Sequence, residues 1–154
     1  MGHLSTLTTQ SIKIPLQGTN KRAIIEELTQ HCWTLDEFTA PPAAYQSIVQ
    51  TILAREEQGT TGLGGGVAIP HARQSEIQGL HLVIGVAPHG VDFDCLDRQL
   101  AYVIILILTG QNGAMAHIEA LSEIASLAGK PDFIPQAQQC TNPEEVLKLF
   151  YAHQ

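Results

Sequence analysis

The chain has 154 residues, 44% of them hydrophobic and only 15% charged, with a formal net charge of −7. That length fits one domain with a sizeable core, and the apolar content excludes a disordered chain. The acidic balance excludes general binding to nucleic acid or to an anionic membrane, because both need clustered Lys and Arg and Lys21-Arg22 is the only adjacent basic pair. Cys32, Cys95 and Cys140 are odd in number and form no Cys-x-x-Cys pair, which reads as a reduced, cytoplasmic compartment. No signal-peptide pattern opens the chain. The longest apolar run, residues 100–108, is too short to span a bilayer.

Residues 1–10 are expected to form a flexible N-terminal segment, and residues 11–154 a single domain. Residues 11–16 alternate apolar and polar, and Pro15 marks the strand as an edge. Thr19 or Asn20 can cap a helix reaching about Trp33, with Ile24, Leu28 and Cys32 on one face. Pro41-Pro42 opens a second helix to about Glu57, whose apolar stripe is Tyr45, Ile48, Ile52 and Leu53. Residues 59–66 form a loop with almost no side-chain bulk. Val67-Ala68-Ile69 is a short strand ending at Pro70-His71. Strands are expected at 80–87 and 100–108, the second apolar on both faces and so buried on both sides; residues 90–98 between them are polar and turn-rich. A third helix spans about 114–128, with Ile118, Leu121, Ile124, Ala125 and Ala128 inward and Gly129 ending it. Residues 133–139 suggest a short helix. Thr141-Asn142-Pro143-Glu144 has capping-box spacing and starts a last helix to about Tyr151. Strands alternating with helices around a doubly buried strand give an α/β domain with helices on both faces of the sheet.

Two features carry candidate chemistry. Gly64, Gly65 and Gly66 let the backbone approach an anion and aim N–H groups at it, though such a cluster also serves as a plain tight turn. It is not a P-loop, since no Gly-Lys-Ser/Thr follows, and Val67 stands where a dinucleotide fingerprint needs glycine. His71 comes next, after a proline that limits local motion. Neutral imidazole is a nucleophile near cellular pH and can accept and pass on a phosphoryl group. Arg73, two residues on, and Arg55, just before the glycine run, supply positive charge suited to that group. An ordinary loop histidine is the alternative. His117 shares the apolar stripe of the third helix, either as a core residue or as a partner whose N–H bonds the phosphoryl oxygens or orients the other ring.

Other clusters point to less. His71, His81, His89 and His117 match no zinc spacing, and Asp92, Asp94 and Asp97 lack the Gly and Glu of a calcium loop, so no metal is expected. Glu56-Glu57, Glu119 and Glu123 read as exposed helix faces. No Gly-x-Ser-x-Gly elbow is present.

The segment 54–73, with Arg55, Gly62-Leu63-Gly64-Gly65-Gly66 and Pro70-His71-Ala72-Arg73, resembles the signature of the enzyme IIA domains of the bacterial sugar phosphotransferase system (EIIA type-2). The match is to the fructose, mannitol and nitrogen-regulatory type. Segment 116–127, with His117, is similar to the family's second motif. The resemblance covers nearly the whole chain. It implies a single three-layer α/β/α domain with a mixed sheet, acting as a phosphotransferase. His71 would be the phosphoryl acceptor, His117 the supporting histidine and Arg55 a phosphate-stabilising group, with Arg73 and the glycine triplet nearby. The donor would be the phosphocarrier HPr or its nitrogen-system counterpart, charged from phosphoenolpyruvate through enzyme I. Further partners would be a IIB domain, a sensor kinase or a transporter. No cofactor would be needed, and neither nucleic-acid binding nor stable membrane insertion is implied. A lone IIA domain leans toward nitrogen regulation; a sugar-transport component passing phosphate to a IIB cysteine and a non-catalytic binding module are the alternatives. One departure stands out. Residues 108–117 lack the proline that many members carry before the second histidine.

Overall fold

The computed structural model describes residues 2–153. Six strands form one mixed sheet: β1 (Ile12–Lys13), β2 (Gly62–Gly64), β3 (Val67–Ala68), β4 (His71–Arg73), β5 (Leu80–Val91) and β6 (Ala101–Thr109). Their order is β1-β5-β6-β3-β2, with β4 also paired to β6. β5 runs antiparallel to β6, while β1 is parallel to β5, and β3 and β4 are parallel to β6. β6 is therefore central, and residues 103–109 are buried without a break, as expected of a strand covered on both faces. β1 lies at the edge, where Pro15 costs no ladder hydrogen bond.

Helices α1 (Lys21–His31) and α2 (Tyr45–Gln58) cover one face. Asn20 starts α1, its side chain accepting from the Ala23 amide at 2.9 Å. Helices α3 (Ala114–Ala128), α4 (Phe133–Gln139) and α5 (Pro143–Ala152) cover the other. Strand alternation divides the core between them: Ala68, Ala72, Leu106 and Leu108 pack toward α1 and α2, while Val67, Ile69, Ile105 and Ile107 pack toward α3, α4 and α5.

Several elements differ from the sequence expectation. Residues 2–10 are packed rather than flexible. They form two 3-10 turns whose Leu4 and Leu7 enter the core, and the Glu123 carboxylate accepts from the His3 and Leu4 amides at 2.9 and 3.0 Å. Glu123 is thus a cap for this segment, not an idle surface charge. Glu56 is also no exposed helix residue. It is buried, bridged by Lys21 Nζ at 3.1 Å and bonded by the Thr61 amide and hydroxyl. α3 has the expected bounds but a different inward face, His117, Ala120, Ile124 and Leu127, leaving Ile118 and Ala125 exposed. β5 continues past Ala87 through an irregularity to Val91, so its last residues reach into the segment expected to be turn-rich. The last helix is capped by Asn142, one residue later than its capping-box reading.

Candidate functional site

The glycine run is a hairpin rather than an open loop. β2 pairs antiparallel with β3, and Gly65 and Gly66 turn the chain at φ values of 63° and 86°. Those backbone angles suit residues without a Cβ. The Gly66 carbonyl accepts from the Tyr102 and Val103 amides at 2.7 and 3.0 Å, and the Gly65 amide donates to Asp97 at 2.9 Å. This fixes the parallel register of the segment that follows: Val67 lies against Val103 and His71 against Ile107.

That register separates two groups the sequence reading had joined. Four residues of strand, about 13 Å at ~3.3 Å each, lie between Val103 and Ile107. Gly64, Gly65 and Gly66 stand at one end of the sheet and His71 toward the other. The Gly65 amide, moreover, is already engaged by Asp97. The triplet therefore sets strand register and is not a cradle around His71.

His71 opens β4 instead of ending β3. Its Nδ1 lies 3.0 Å from the Ile69 carbonyl. A carbonyl only accepts, so Nδ1 carries the proton and Nε2 keeps its lone pair. Alternation along β4 sends His71 and Arg73 to the α3 face and Ala72 to the α2 face. On the α3 face the rings of His71 and His117 meet edge to face, with centroids 4.7 Å apart and planes at 80°. His117 sits in the first turns of α3 and is buried.

Electrostatics favour two neutral rings. Burial lowers the pKa of His71; the Ile69 hydrogen bond and Glu56 oppose this, while Arg55 and Arg73 add to it. Burial takes His117 down further, to about 4, with His71 and Arg73 acting in the same direction. Arg55, in the last turn of α2, is anchored through Nη1 to the Gly59 carbonyl at 2.8 Å. Both arginines therefore act on the field at His71 from different elements. The result is a half-buried imidazole with a free Nε2, a second neutral imidazole against it and two guanidinium groups nearby. Such a set offers a nucleophilic Nε2 beside positive charge suited to a compact anionic group.

The remaining candidates do not converge with it. His81 packs edge to face against Phe38 and donates through Nε2 to the Gln78 carbonyl at 2.6 Å, and His89 is exposed. Among the described residues no three His, Cys, Asp or Glu side chains are grouped as metal ligands. All three cysteines are free, and burial pushes Cys32 up to about 12. Sequence reasoning missed the Ile69 carbonyl, because a backbone acceptor leaves no mark in the residue string.

With this geometry in view, comparison with known proteins settles the family. Residues 5–153 match the profile of the "Phosphoenolpyruvate-dependent sugar phosphotransferase system, EIIA 2" family. The chain belongs to this family. It is 28% identical over 137 residues to a nitrogen regulatory protein of Pseudomonas aeruginosa, covering 88% of this chain and 86% of that protein. It is 27% identical over 147 residues to the fructose-specific EIIABC component of Bacillus subtilis, covering 96% of this chain but only 22% of that longer protein. The fold is that of nitrogen regulatory protein IIA-Ntr from Neisseria meningitidis, with a TM-score of 0.81 at 23% identity, over 96% of this chain and 97% of that one. The IIA mannitol structure from Escherichia coli gives 0.78 at 22% identity, over 94% and 99%. This EIIA domain is thus a member of a phosphotransfer family with the expected mixed sheet between helix layers. Among its described residues no helix is long and apolar enough to cross a membrane.

Proposed function

We propose that this EIIA domain accepts a phosphoryl group on Nε2 of His71 from a phosphocarrier, HPr or its nitrogen-system counterpart, and acts in phosphotransferase-system regulation. The observation that carries this reading is the Nδ1 contact of His71 with the Ile69 carbonyl, which directs the lone pair of Nε2 outward from the strand. In the transfer, that lone pair forms the new N–P bond. The donor's P–N bond breaks, and its electron pair leaves with the donor imidazole, which then takes a proton. Arg55 and Arg73 stabilise the charge on the phosphoryl oxygens. His117 supports His71 as a neutral neighbour able to donate one N–H. Met115 and Ile118, 70% and 63% exposed on the helix that carries His117, offer the carrier an apolar landing surface.

The regulatory role is favoured by likeness to the nitrogen regulatory protein over most of both chains. A transport role is supported by the fructose-specific relative and by the solved complex of enzyme IIA-mannitol with phosphorylated IIB-mannitol; in it, His71 passes the group to a IIB cysteine. Incubation with phosphoenolpyruvate, enzyme I and the matching carrier tests the shared step. Acid-labile phosphate should appear on the native protein, be lost in His71→Ala and persist in His117→Ala. No uptake by the native protein with a matching carrier refutes the assignment. A sensor kinase or transporter whose affinity changes on phosphorylation would establish regulation; transfer onward to IIB would establish transport.

A further inference from the structure

Among the described residues, one buried side-chain oxygen or nitrogen has no hydrogen-bond partner: the hydroxyl of Thr109. Native proteins rarely leave a buried donor unused, and such a group calls for an explanation. Thr109 is the last residue of β6 and is 0% exposed. Its place in the sheet is informative. The parallel register sets His71 beside Ile107 and Arg73 beside Thr109. Ile107 packs on the α3 face, so Thr109, two residues on, faces the same way as His71 and Arg73.

The start of α3 lies directly over it. A Cβ built on Gly113 would stand 2.8 Å from Thr109 Cβ and 3.4 Å from its Cγ2. Gly113 is the N-cap of α3, and no side chain caps the helix there. The amides of its first turn therefore retain their capacity for an anion, and His117 stands one turn further along. Thr109, whose Cβ and methyl pack under Gly113, carries an unpartnered hydroxyl as an independent second feature beside that helix end. It has a donor to give, Arg73 is its register partner on β4, and His71 lies two residues earlier on the same face of that strand.

We propose that Thr109 is a phosphoryl-binding residue: its hydroxyl donates to an oxygen of the group carried on His71, beside the open first-turn amides of α3. This rests on the phosphohistidine reading above. Thr109 makes and breaks no covalent bond. It adds one donor to a charged acceptor, which is among the stronger kinds of hydrogen bond. The unphosphorylated protein bears the unmade bond, and the phosphorylated protein satisfies it. The two states therefore respond oppositely to loss of the hydroxyl.

The test uses the full chain charged with phosphoramidate, whose P–N bond breaks with release of ammonia, so that no carrier is needed. Native protein, Thr109→Val and Thr109→Ser are each followed by phosphorus NMR as the phosphoryl group titrates, and by thermal unfolding of the uncharged form. Donors to a phosphoryl oxygen favour its dianion. Loss of one should raise the proton affinity of the group about threefold to tenfold. Thr109→Val should show that rise while its uncharged form melts no lower than the native protein, and Thr109→Ser should restore the native titration. A Thr109→Val titration that superimposes on the native one overturns the proposal, as does a variant that only loses stability. If Thr109→Val does not fold, Thr109→Ser against Thr109→Ala makes the same comparison at similar volume. Native protein that takes no phosphate from either phosphoramidate or the carrier refutes the phosphohistidine reading and this proposal together. Native charging with an unmoved variant refutes this proposal alone.

Discussion

The neutrality of His117 makes a quantitative demand on stability. Its pKa falls from an ordinary 6.5 to about 4 because the ring is buried, at 8% exposure, and because His71 and Arg73 add positive potential. The unfolded chain binds a proton near pH 6.5, whereas the folded protein does so only near 4. Between those values the unfolded state holds more protons, so stability falls as the pH drops through this window and is independent of this group above it. At 1.36 kcal/mol per pH unit, the loss from His117 by pH 4.5 is about 2.5 kcal/mol. The depressed His71 adds in the same sense. His117→Gln removes the titrating ring. Urea unfolding at pH 7 and pH 4.5 should show the native midpoint falling about 1 M further than that of the variant, for a urea slope of ~2 kcal/mol per M. Proton NMR of the His117 ring should find it neutral at pH 6. Midpoints that fall in parallel, or a ring that titrates near 6.5, would refute the reasoning. The same experiment bears on function. In the proposed transfer a neutral His117 brings no charge to the site, so attraction for the phosphoryl group is assigned to Arg55 and Arg73; with phosphate on His71, the His117 titration should move upward.

Arg73→Gln removes a positive neighbour of both rings, so the His71 and His117 titrations should both rise, read by the same NMR signals; unmoved titrations would place the guanidinium elsewhere. Leu4→Ala tests whether the N-terminal segment belongs to the core. At 2% exposure the truncation should cost about 3 kcal/mol and lower the melting temperature by roughly 6–12 °C, whereas a frayed segment would leave the melting temperature in place. Met115→Glu with Ile118→Glu should slow charging by the carrier by about tenfold or more while charging by phosphoramidate continues at the native rate.

Periodicity was most informative where one physical requirement dominated. Residues 103–108 are apolar without interruption because β6 is covered on both faces, and that alone places it at the centre of the sheet. It was less informative for α3, whose small alanines occur on every side. There the buried stripe keeps His117 and Ile124 but takes in Ala120 and Leu127, while Ile118 is left to solvent. Glu56 was misread for a different reason. Its burial depends on Lys21, 35 positions away, and on Thr61 across a turn, and no local window contains the first of these partners. Residues 2–10 look polar and short, yet Leu4 and Leu7 find the seam beside α3 once Glu123 has taken up the His3 and Leu4 amides. His71, Arg73 and His117 were legible as residue types. What joins them is tertiary: a parallel register, a carbonyl two residues upstream and a helix end.

The glycine run links those levels. A triplet before a histidine invites a ligand-binding reading, but the work of these residues is mechanical. Gly66 could not carry a side chain, since a Cβ would meet Ile134 at 2.8 Å and the φ of 86° is unfavourable for other residues. Its carbonyl instead takes two amides from the start of β6. That contact makes the chain enter beside the central strand at Val103, and parallel pairing then brings it to Ile107 at His71 and to Thr109 at Arg73. A shift of one residue would turn His71 away from His117 and put Ala72 in its place. The glycines thus govern the His71–His117 pair from about 13 Å away, by deciding which side of β4 faces the helix that carries His117.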